Sequence, residues 1–137
     1  MKQYITEEQL EELSEKGKKR LLRWYKPSIG DSYFVVWFGS KVENYTAESL
    51  KELGRNDGLY IKWPLLSVGQ MIKFLGWDDM EIHKGSPPTY YMRKKYPDRV
   101  NQRWFVQDGD YENAGKCFEG FSICDALWQA VKDVLER

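Results

Sequence analysis

The strongest constraint on this chain is its last stretch, where Ile123, Leu127, Trp128, Val131, Val134 and Leu135 recur at helical spacing behind Ser122 and Asp125. Steps of three and four put these apolar side chains on one face, and the Ser122 hydroxyl can accept a backbone N–H left free in the first turn. A short helix of this kind gains its stability from burying the stripe, so the rest of the chain must supply a sheet or a second helix to cover it. The other end offers one. Thr6 and Gln9 have the spacing of a capping box, and Leu10, Leu13, Gly17, Leu21 and Trp24 follow at steps of three and four, which predicts a helix over residues 7 to 25. Its glutamates (Glu7, Glu8, Glu11, Glu12, Glu15) come early and its cations (Lys16, Lys18, Lys19, Arg20, Arg23, Lys26) late, as the helix dipole favours.

Between these ends the pattern is short and heavily punctuated. Pro27 and Gly30-Asp31 stop the first helix, and Ser32 to Phe38 is rich in branched and aromatic residues, a strand that Gly39-Ser40 closes. A helical pattern runs from Thr46 through Leu50 and Leu53 to Gly54, followed by the turn Asn56-Asp57-Gly58 and a strand from Leu59 to Trp63. Pro64 and the Ser67/Gln70 pair open another helix carrying Val68, Met71, Ile72 and Leu75 and ending at Gly76. Met80 to His83 reads as a strand. Lys84 to Gln102, with Pro87, Pro88 and Pro97, reads as a long loop, a length that in compact domains is often functional. Arg103 to Gln107 is a strand, Asp108-Gly109 a turn, and Lys116 to Glu119 a partner for it. Short strands between helical ends argue α+β: a small, mainly antiparallel sheet covered by N-terminal and C-terminal amphipathic helices. At 137 residues, the expectation is a single domain over residues 1–137.

Three segments together, RWYKPSIGD (Arg23 to Asp31), WPLLSVGQMIKFLGW (Trp63 to Trp77) and CDALWQAVKDVL (Cys124 to Leu135), resemble a group of short uncharacterised proteins of Gram-positive bacterial genomes and prophages. The resemblance implies a bacterial or phage accessory protein and transfers no site residues.

Several function classes are disfavoured directly. The start, MKQYITEEQL, lacks the apolar core of a secretory signal, and the longest apolar stretches, such as Tyr33 to Phe38, fall far short of the ~20 residues that cross a bilayer as a helix. A cytoplasmic protein without a membrane role is expected. Lysine plus arginine total 21, as do aspartate plus glutamate, so only a local patch could attract a polyanion. Cys117 and Cys124 are the only cysteines and read as reduced, buried thiols rather than a disulfide framework. With His83 the one histidine, there is no multi-histidine metal site, and no phosphate loop or nucleophile elbow appears. A Cys117 or Cys124 nucleophile with His83 as base has no support in the spacing, and Asp78, Asp79 and Glu81 read as a solvated turn. No catalytic residue, metal or cofactor is expected.

Three constellations remain. Asp108, Asp110 and Glu112, with Glu119 at the twelfth position, begin like a calcium loop, but Asn113 stands where that loop needs glycine and Gly115 where it usually has an apolar residue, so an acidic hairpin turn is preferred. The segment Thr89 to Trp104 interleaves Arg93, Lys94, Lys95, Arg99 and Arg103 with Tyr90, Tyr91, Tyr96 and Trp104. Cations neutralise phosphates and rings accept unstacked bases, so Tyr90, Tyr91, Arg93, Lys94, Lys95, Tyr96, Arg99 and Arg103 are the candidate contacts to a polyanion or other partner. Finally, six tryptophans exceed what one core of this size needs, and the surplus predicts an exposed aromatic patch. The leading expectation is a noncatalytic binding protein acting through protein–protein contact or self-association, with nucleic-acid binding through residues 89–104 as the alternative.

Overall fold

In the computed structural model, which describes residues 2–36, 40–51, 62–85, 103–108 and 117–137, the chain is α+β. The elements are α1 (Glu7–Leu10), α2 (Glu15–Trp24), β1 (Ser32–Val36), β2 (Ser40–Asn44), α3 (Ala47–Lys51), β3 (Lys62–Leu65), α4 (Val68–Leu75), β4 (Met80–Lys84), β5 (Trp104–Asp108), β6 (Cys117–Gly120) and α5 (Ile123–Leu135). The strands divide between two antiparallel sheets, ordered β2-β1-β3 and β4-β5-β6.

The first helix departs from expectation. The stretch read as one helix over residues 7 to 25 is two, because Ser14 starts a new one: its hydroxyl accepts from the Gly17 N–H, while Glu136, from the far end of the chain, accepts from both the Ser14 N–H and its hydroxyl. Arg20 returns the contact by donating to the carbonyls of Leu135 and Arg137 at the end of α5. A Cβ on Gly17 would run into the Glu136 carboxylate, so the glycine within the apolar stripe makes room for this clamp.

Two boundaries also move. Ser40, expected to close the first strand, begins β2, whose Val42 pairs with Phe34. Pro64, expected to open a helix, pairs with Tyr33 inside β3, and α4 starts after the Ser67 cap. β3 is an edge strand, where the missing N–H of proline is tolerated. The capping boxes at Thr6/Gln9 and Ser67/Gln70, the Ser122 cap and the left-handed Gly76 stop occur as read. The turn Asn56-Asp57-Gly58, most of the loop 84–102 and the Asp108-Gly109 turn beyond Asp108 lie outside the described residues.

One contiguous core joins both sheets. Seven residues of α5 are buried, and Leu127, Trp128 and Val131 belong to one cluster with Leu10, Leu13 and Leu21 from the N-terminal part of the chain, Phe34 and Leu65 from the first sheet, Met71 from α4 and Val106 from the second. Each fully buried aliphatic side chain contributes about 1.5–3 kcal/mol, so α5 is the element whose burial holds the assembly together. The five described tryptophans, Trp24, Trp63, Trp77, Trp104 and Trp128, all pack in or against this core. The sixth, Trp37, lies outside the described residues, and among the described residues the most exposed large apolar side chains are Phe121 at 71% and Ile29 at 68%.

Candidate binding cleft

The chain leaving α2 cannot remain helical, because Pro27 disfavours helical backbone at Lys26 and Gly30 takes a positive φ of 89°. Asp31 closes the resulting loop: one carboxylate oxygen accepts from the Tyr25 hydroxyl (3.0 Å) and from the Ser28 N–H (2.9 Å). Burial, then the hydrogen bond to Asp31 and its charge, push the Tyr25 hydroxyl far above its ordinary range, so it remains a donor. Trp24, at the end of α2, meets Phe74 of α4 edge to face at 5.0 Å. Beside this contact opens a cleft of about 460 Å³, lined by Trp24, Tyr25, Lys26, Ser28, Asp31, Gln70 and Lys73.

Its electrostatics are mixed. Lys26 and Lys73 make no ion pair among the described residues, whereas Asp31 is already satisfied by two donors. The C-terminal end of α2 adds partial negative charge at the back. A dense polyanion is thus opposed by Asp31 and the helix end, while one or two carboxylates beside an apolar group suit the lysines and Trp24. None of these residues was a candidate from sequence, yet all seven fall within RWYKPSIGD and WPLLSVGQMIKFLGW.

Of the eight candidate contacts in the basic aromatic segment, Tyr90, Tyr91, Arg93, Lys94, Lys95, Tyr96 and Arg99 lie outside the described residues. Arg103 is described, and its guanidinium lies 4.0 Å from the centroid of the Phe121 ring. In the calcium-like pattern, Asp108 and Glu119 are described. Asp108 pairs with Met80 and Glu119 with Phe105, so by strand alternation their side chains leave opposite faces of the sheet and do not converge. Among the described residues no cluster of three or more metal-ligating side chains forms.

The thiols stay protonated at neutral pH. Burial, reinforced by the Glu119 charge, pushes Cys117 up to about 11, and burial pushes Cys124 to about 11 against the opposing charge of Lys2. His83 sits beside Glu81 at 3.3 Å. No helix among the described residues is long and apolar enough to cross a membrane. No family model, curated protein or solved structure matches the chain.

Proposed function

We propose that this is a noncatalytic, cytoplasmic binding protein of bacterial or prophage origin, whose cleft receives a segment of a partner protein carrying carboxylates beside an aromatic side chain. The observation that carries the reading is the convergence of two lysines that make no ion pair among the described residues, Lys26 and Lys73, on an aromatic wall, Trp24, in a cleft of about 460 Å³. That volume falls in the range of ligand pockets, and a rigid aromatic flanked by cations has the composition of an interface anchor. Both thiols, Cys124 buried and Cys117 half-buried, are held protonated, which supports a binding rather than a nucleophilic role.

Peptide display against the wild type, with counter-selection on Lys26→Glu/Lys73→Glu, tests it. Enrichment of sequences joining Asp or Glu to Phe, Tyr or Trp, lost on the variant, supports the proposal. Basic or purely apolar winners, or equal enrichment on both proteins, overturn it.

A further inference from the structure

Gln70, half-buried in the first turn of α4, lines the cleft together with Lys73, one turn further along the same helix. Its Oε1 accepts from the Ser67 N–H (2.8 Å) while its own N–H donates to the Ser67 hydroxyl (3.1 Å), so the capping box holds the side chain and fixes which end of the amide faces the backbone. The Nε2 end is left over. It meets no acceptor among the described residues. The same motif at the start of α1 shows what such an amide can do. Gln9 accepts from the Thr6 N–H through Oε1 (3.0 Å), and its Nε2 donates to Oδ1 of Asp125 (2.9 Å), the oxygen to which the Lys2 ammonium also donates. There an amide N–H and an ammonium together seat one carboxylate.

At α4 the same two donors recur. Gln70 and Lys73 are three residues apart, hence neighbours on one helix face, and both line the cleft, yet no carboxylate meets either of them among the described residues. We infer that Gln70, with Lys73, seats one carboxylate of the partner segment, and that Gln70 is the residue that sets the preference for an acidic side chain at that point. The inference rests on the reading of the cleft as a site for such a segment. With its oxygen committed to Ser67, the Gln70 amide presents only donors to the cleft, and a donor bonds a carboxylate more strongly than a neutral acceptor. Glutamate at this position would cap α4 as well, and would suit the helix dipole better, but it would present a second oxygen where the amide presents its N–H.

The test is Gln70→Glu, followed by fluorescence anisotropy with a labelled Glu-Asp-Phe-Glu peptide and with three versions of it in which one acid at a time becomes its amide. The variant keeps the capping box, so its urea midpoint is expected at or above that of wild type. Its affinity for the parent peptide falls about tenfold or more, the loss of one charge-assisted hydrogen bond. At one of the three acidic positions, and only there, the amide version regains about fivefold or more on the variant while binding wild type less well, because the new carboxylate now accepts from the peptide amide. Wild-type affinity in Gln70→Glu overturns the inference and leaves the cleft reading standing. Equal relief at all three positions marks repulsion without contact and overturns it likewise. A peptide that does not bind wild type, or that binds Lys26→Glu/Lys73→Glu as well, brings down the cleft reading and this inference with it.

Discussion

At the residue scale, two positions report on how closely this chain is fitted. Gly120 is held by contact: a methyl there meets backbone atoms of α5 at 2.5 and 2.7 Å, and neither side can yield without moving an element. Gly120→Ala is expected to destabilise the fold by about 2 kcal/mol or more, measured by urea unfolding. An unchanged midpoint would mean that β6 and α5 lie further apart. Asp125 is the second. Burial alone would raise its carboxyl, but the hydrogen bonds from Lys2, Ser122 and Gln9 and the Lys2 charge outweigh burial and hold it below the ordinary carboxylate range. A depressed folded-state value gives stability that is fully present above the unfolded value, near about 4, and is lost as pH falls through the folded value. Asp125→Asn should therefore be less stable than wild type at pH 7, with the difference shrinking steadily in unfolding curves taken below about pH 4.

At the element scale, what the sequence discloses depends on how far apart the determinants lie. The Thr6/Gln9, Ser67/Gln70 and Ser122/Asp125 caps are local, three residues apart, and each starts a helix where the pattern places it. The break before Ser14 is not local, since its partner Glu136 is 122 residues away, and an uninterrupted apolar spacing across Leu10, Leu13 and Leu21 conceals it. β2, with the sequence Ser-Lys-Val-Glu-Asn, has too few branched residues to declare itself and exists because β1 offers it a ladder. The cleft follows the same rule: Trp24 and Lys73 are ordinary residues in their own helices, and only the packing of Trp24 on Phe74 brings them to one opening. Removing the Ser14 hydroxyl takes away the α2 cap and one of the two hydrogen bonds to Glu136, so Ser14→Ala should cost about 1 kcal/mol in urea unfolding. Indifference to the substitution would imply that α1 and α2 can join as one helix.

At the scale of the whole molecule, the α+β class and the covering of strands by terminal helices follow from the sequence because amphipathic stripes demand burial. The division into two sheets does not follow, since pairing partners are chosen across long separations. α5 binds them into one core by packing on β5, β6, α4 and α2 together. The five described tryptophans serve that core, and a cleft opens at the α2–α4 junction. The reading of this chain as a binding protein rests foremost on the cleft. Its most direct test is the affinity, by fluorescence anisotropy, of a labelled Glu-Asp-Phe-Glu peptide for wild type, for Lys26→Glu/Lys73→Glu, and for Lys19→Glu as an exposed control outside the cleft. Reversing two cleft charges should weaken binding about tenfold or more, equivalent to about 1.4 kcal/mol, with the control within about twofold of wild type. A peptide that fails to bind wild type, or that binds all three proteins alike, would contradict the account.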